Sequence, residues 1–99
     1  MTKATLDQWM SRITYKPHFR FNHRLVDGFV EIQVIGHVID IDDRRKKTDI
    51  ISEVKENAKY FTTFERFRDW LFYQIMVWET HEAKEWFFVD GEKFHEVHT

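Results

Sequence analysis

Cysteine is absent from this 99-residue chain. That removes any disulfide framework, any thiolate nucleophile and any Cys-ligated metal centre, and it fits a reducing compartment, the cytoplasm. Glycine and proline are scarce, with three and one respectively. There is accordingly no Gly-rich phosphate loop, no linker, no repeat and no low-complexity tract. No stretch approaches the roughly 18 apolar residues that suggest a membrane span. The first residues, Met1 to Gln8, carry no apolar signal core. A basic excess is also missing: 15 Lys and Arg stand against 17 Asp and Glu. A general nucleic-acid binder would carry a strong positive balance. Arg44-Arg45-Lys46-Lys47 is the one basic run, and two aspartates precede it.

Aromatic side chains are plentiful, with ten Phe, four Trp and three Tyr. The length suits one domain spanning residues 1–99, able to bury about 60–70% of its unfolded surface. One small core has difficulty hiding so many rings, and aromatics are enriched at interfaces. Self-association is the expectation.

Residues 5–13 read as a short helix. Thr5 and Gln8 fit a capping box, and Leu6, Trp9, Met10 and Ile13 share one stripe. Pro17 closes that segment. Residues 18–41 read as a hairpin, because Asp27-Gly28 is the dipeptide favoured by a two-residue type I′ turn. The turn fixes the register: Val26 opposite Phe29, Leu25 opposite Val30, Arg24 opposite Glu31, Phe21 opposite Val34 and Phe19 opposite Gly36. One face then collects Phe19, Phe21, Leu25, Val30, Ile32 and Val34. The other collects Arg20, Asn22, Arg24, Glu31 and Gln33, and a one-residue slip would mix the two. Beyond Gly36 the apolar side switches to Ile39 and Ile41, which predicts a bulge at Gly36.

Residues 48–60 are ambiguous. Ile51, Val54, Ala58 and Phe61 have helical spacing, yet Ile50 to Val54 equally suits a third strand. Residues 63–87 read as one long helix, with Thr62 and Glu65 as its capping box. Asp90-Gly91 then offers a second tight turn before a short strand from Glu92 to Val97.

On a wheel of about 100° per residue, Phe64, Phe67, Leu71, Ile75 and Trp78 form the core stripe of that helix. Continued, the stripe meets Glu82 and Glu85, with His81 at its edge. Buried carboxylates require partners, water or a metal. Joined by His95 and His98 from the returning tail, His81, Glu82 and Glu85 would offer nitrogen and oxygen ligands to a divalent ion such as zinc, manganese or iron. The bland alternative is a helix that outruns its core, with His81 and Glu85 as an exposed i, i+4 pair.

The helix centre is apolar nearly all round. Trp70, Phe72, Tyr73, Met76 and Val77 flank the core stripe, and such a helix is normally buried on every side. Residues 1–14 or 48–61 could cover the second side, or a second copy could. The latter makes these five the candidate oligomer interface. On the polar side of the hairpin, His18 and His37 are placed facing each other beside Arg20, with Arg24 further along. A His/Arg group beside aromatics suits an anionic, nucleotide-like ligand.

Two segments resemble a known group. Glu79-Thr80-His81-Glu82-Ala83-Lys84-Glu85-Trp86-Phe87-Phe88-Val89-Asp90-Gly91-Glu92-Lys93-Phe94, followed by His98, is similar to short uncharacterised proteins of bacteriophages and actinobacterial genomes. Those show a His-Glu-Ala-Arg-Glu helix end, an aromatic pair, a turn and a Phe-x-Pro-His-like finish. Tyr15-Lys16-Pro17-His18-Phe19-Arg20-Phe21 resembles their opening strand. Here Glu96 and Val97 precede His98, so the Pro-His ending is lost. The resemblance implies a phage-type accessory protein in the host cytoplasm, blocking a host factor or sequestering a small host ligand in evasion of host immunity.

The sequence therefore predicts an α+β fold: an antiparallel hairpin or small sheet packed on one long C-terminal helix, with a short N-terminal helix. The expected role is a non-enzymatic, homo-oligomeric binding module for a host protein or a small anionic ligand, with neither membrane nor nucleic acid as partner. A metal-dependent hydrolase built on the His/Glu cluster is the alternative.

Overall fold

The computed structural model describes residues 1–39 and 46–95, and of residues 37–39, 46–49 and 51 the backbone alone. Helix α1 spans Lys3–Met10, strand β1 Ile13–Thr14, β2 Arg20–Val26, β3 Phe29–Ile39 and β4 Lys46–Asn57. A 3₁₀ turn at Ala58–Tyr60 leads to α2, Phe64–Trp78, then α3, Thr80–Trp86. Strands β5, Phe88–Val89, and β6, Glu92–Lys93, complete the described chain. The architecture is α+β with two antiparallel sheets, ordered β2-β3-β4 and β1-β5-β6. No helix among the described residues is long and apolar enough to cross a membrane.

The hairpin has the register that its turn dictates. Asp27 and Gly28 both take positive φ, 53° and 79°, as a type I′ turn requires. Val26 pairs with Phe29, Arg24 with Glu31 and Phe21 with Val34. Val30, Ile32 and Val34 are buried while Asn22 and Arg24 are exposed. The pairing ends sooner than expected. Phe19 lies outside β2, and Gly36 pairs with Asp49 of β4. Phe19 donates its amide to the Lys16 carbonyl at 3.0 Å, closing a turn with Pro17 at the position where a fixed φ is favoured.

Residues 46–57 settle as a strand, not a helix. The bulge lies on this strand: the register jumps between Val34 and Ile35, leaving Ile51 without a partner. It falls one residue before Gly36 on β3, and Ile35 is buried beside Val34. A shift from the partner strand leaves no local mark on β3 itself, which is why Gly36 drew the expectation. Ile41 and residues 40–45 lie outside the described residues.

Both helix starts sit away from the predicted boxes. Thr2, not Thr5, caps α1, and its hydroxyl accepts from the Thr5 amide. Thr63, not Thr62, caps α2 by accepting from the Arg66 amide at 3.2 Å. Ile13 belongs to β1 and not to the helix.

The long C-terminal helix is in fact two. Glu79, at φ −141° and ψ 64°, separates α2 from α3. The core stripe over α2 holds, with Phe64, Phe67, Leu71 and Ile75 all buried. Beyond Ile75 the inward positions advance by four: Glu79, Ala83 and Phe87, joined by amide-to-carbonyl bonds of 2.9, 2.9 and 3.2 Å. Ala83 and Phe87 are fully buried. The Trp78 indole Nε1 is buried with no hydrogen-bond partner among the described residues.

The second side of α2 is covered largely by its own chain. Trp9 of α1 lies against Phe64 and Phe67, and Phe61 packs on Phe67 and Trp70. The C-terminal hairpin brings Phe87 and Phe94 onto Phe72, with centroids 5.3 and 4.9 Å away. Phe72 is therefore a core residue, 1% exposed, and not part of an open interface. Trp70 and Met76 are half-buried. Tyr73 and Val77 remain on the surface, Val77 at 81% exposure.

Candidate functional site

The end of α1, strand β1, the Lys16–Phe19 turn and the start of β2 enclose a cleft of about 490 Å³. Met10, Ile13 and Tyr15 supply its buried floor, and Phe19 and Phe21 its half-buried aromatic wall. Tyr15 meets Phe19 edge-on at 5.9 Å and Phe21 at 6.2 Å. The polar lining includes Asp7, Ser11, Thr14, Lys16, Arg20 and His23.

The cations divide into committed and free. Lys16 Nζ donates to Glu79 Oε1 at 3.0 Å and lies 4.9 Å over the Phe19 ring. His23 Nε2 stands 2.7 Å from Asp7 Oδ1. Arg20, the first residue of β2 and exposed, has no ion-pair partner among the described residues. His23 escaped notice in the sequence, although strand alternation places it between Phe21 and Leu25 on the apolar side. A histidine there needs a partner, and Asp7 of the overlying helix provides it.

Behind the cleft, the Tyr15 hydroxyl donates to Glu79 Oε2. Burial pushes the Tyr15 pKa upward, reinforced by this hydrogen bond and by the charges of Glu79 and Glu82. A carboxylate does lie on the buried line of the helical segment, as the wheel implied, but it is Glu79 and not Glu82 or Glu85. Two donors satisfy it, so the cost of burying its charge is offset. A second clamp joins the residue before β1 to the residue after its neighbour β5. Arg12 Nε and its terminal nitrogen donate to the two Asp90 oxygens at 2.9 and 2.8 Å. The pairing raises the Arg12 pKa and lowers that of Asp90.

The predicted metal set does not come together. His81 is exposed, Glu82 half-buried, and Glu85 pairs with Lys93 at 3.2 Å. His95 is exposed, and His98 lies outside the described residues. Among the described residues no three His, Asp or Glu side chains are placed to hold a metal ion. The cause is helical phase: steps of four from Ile75 turn Ala83 and Phe87 inward and leave 81, 82 and 85 toward the outside.

The polar hairpin group is likewise divided. His18 sits in the Lys16–Phe19 turn, ahead of β2, so no strand pair of His18 with His37 forms. His37 pairs with Thr48 along β4, and its side chain is outside the description. Arg24 is tied to Glu31 on the open face of the sheet. Of the four candidates, Arg20 is the one that lines the cleft among the described side chains.

His95 instead lines a second groove, of about 390 Å³, between α2 and the C-terminal hairpin, where Tyr73 and Arg68 also lie. Its cations are occupied. Arg68 bonds Asp69 at 3.0 Å and stacks on Phe94 at 4.8 Å, and Lys93 serves Glu85. Of the basic run, Arg44 and Arg45 are outside the described residues, and only the backbone of Lys46 and Lys47 is placed, in β4.

No family model, curated protein or solved structure matches the chain.

Proposed function

We propose that this chain is a non-enzymatic binding module that holds a small anionic, ring-bearing ligand, a nucleotide being the class that fits, in the cleft between α1, β1 and β2. The observation that carries this reading is Arg20, a guanidinium with no ion-pair partner among the described residues, at the rim of a cleft walled by Phe19 and Phe21. A guanidinium offers a planar fork to phosphate oxygens, and aromatic rings offer a face to a base. The volume lies in the range of small-molecule sites. Lys16 and His23 are engaged by Glu79 and Asp7, so they preorganise the wall and leave Arg20 to meet the charge. The likeness to phage proteins suggests the setting: an accessory protein that sequesters a host nucleotide.

Titration calorimetry tests it, using nucleoside mono-, di- and cyclic phosphates with inorganic phosphate as a control for charge alone. Arg20→Ala is expected to weaken nucleotide binding by at least about tenfold, the scale of one charge-assisted contact. Arg24→Ala, whose guanidinium is tied to Glu31, is expected to leave it unchanged. No heat with any nucleotide, or equal affinity in Arg20→Ala, would sink the reading.

A further inference from the structure

Strand β4 is twelve residues long and stands at one edge of its sheet. Among the described residues its backbone pairs with β3 alone. An open edge of that length is a template for another strand unless something blunts it. The bulge at Ile51 blunts its first half. From Ser52 to Asn57 the strand runs without irregularity, paired residue for residue with Val34 to Phe29. No proline interrupts it.

The regular half carries a self-complementary charge pattern. Glu53 and Lys55 point to the open face and are exposed, while Val54 between them packs partly against the core. Glu53 accepts from the Gln33 amide at 3.4 Å, and Lys55 lies 3.7 Å from Glu31. Neither contact is tight.

We infer that a second copy of this chain docks antiparallel along β4, with Val54 on the two-fold axis, fusing the two three-stranded sheets into one. An isologous contact of this kind sets one residue opposite its own mate. Glu53, Lys55 or Glu56 on the axis would oppose like charges, which destabilises a strand pair. Ser52 on the axis would carry the pairing across the bulge. Val54 on the axis places Glu53 of each copy opposite Lys55 of the other, twice, and stays within the regular stretch. The ligand cleft borders β2, at the opposite edge, so the contact leaves it open and stands independently of it.

Light scattering behind a sizing column, from about ten to several hundred micromolar, reads the association. Glu53→Lys and Lys55→Glu are each expected to raise the dimer dissociation constant by about tenfold, because each sets like charges opposite twice. The double exchange is expected to restore it, which separates pairing from loss of folding. The chain has no native cysteine, so a single introduced thiol reports proximity. Under mild oxidation Val54→Cys is expected to form a covalent dimer, and Val77→Cys, on the exposed flank of α2, is not. A monomer throughout the range, a dimer indifferent to both charge reversals, or cross-linking through position 77 in place of 54 would overturn the inference.

Discussion

The Tyr15 hydroxyl and the Lys16 ammonium both bond Glu79, the residue at which the helical rod divides. The segment entering β2 is thereby fastened to the junction of α2 and α3. Tyr15→Phe removes one donor from a half-buried carboxylate and is expected to cost about 1–2 kcal/mol in urea denaturation. Folding raises the Tyr15 pKa. Its contribution is therefore present in full below the unfolded value, about pH 10, and declines as pH climbs above that. The gap between wild type and Tyr15→Phe should be constant from pH 7 to 9 and narrow at higher pH. A gap that widened there would contradict the assignment.

The Asp27-Gly28 turn gives a cleaner test, since steric crowding plays no part. Gly28 has φ +79° and nothing within 4 Å of the place a Cβ would take. Gly28→Ala is expected to cost about 1 kcal/mol through backbone conformation alone. Gly28→Asn should cost less, because asparagine tolerates this region. Thermal melts of the pair would show the order, and equal midpoints for wild type and Gly28→Ala would refute it.

Two apolar residues of α2 should part company. Phe72, enclosed by Phe87 and Phe94, is expected to lose about 3–5 kcal/mol as Phe72→Ala. Val77→Ser should stay within about 0.5 kcal/mol of wild type. Similar losses for both would return Val77 to a buried environment.

Much of this was readable in the residues, for reasons that differ from element to element. The hairpin register followed from Asp27-Gly28 and the alternation behind it. The inner line of α2 followed from the spacing of Phe64, Phe67, Leu71 and Ile75. The break at Glu79 left no mark, because neither glycine nor proline accompanies it, and a wheel drawn through it turned Glu82 and Glu85 inward. Phe72 looked uncovered because its cover, Phe87 and Phe94, comes from a hairpin too short to carry periodicity. Of the cleft, Arg20 was singled out, but Asp7 and His23 meet across sixteen residues, a contact that no local pattern encodes. Residues 48–60 are ambiguous in the sequence because Ile51, Val54 and Ala58 fit a helix as well as a strand. Pairing with β3 makes a strand of them as far as Asn57, and Ala58–Tyr60 close a 3₁₀ turn.

Acid should reveal the Arg12–Asp90 clamp. Its geometry lowers the Asp90 pKa, so its contribution is present above the ordinary carboxyl range and is lost as pH falls through it. In melts from pH 6 to 2.5, wild type is expected to lose more of its midpoint than Asp90→Asn. Superimposable curves would mean the clamp adds nothing in solution.

Ile13 pairs with Val89, and the Asp90 amide donates to the Arg12 carbonyl at 2.8 Å. Residues separated by most of the chain thus lie side by side. A nascent chain that does not yet reach Val89 cannot form this clasp, so Phe72 stays bare until Phe87 and Phe94 have been made and can fold back onto it. Shortening the chain before Phe87 would leave a greasy, half-closed particle prone to clumping, not a smaller version of the same protein.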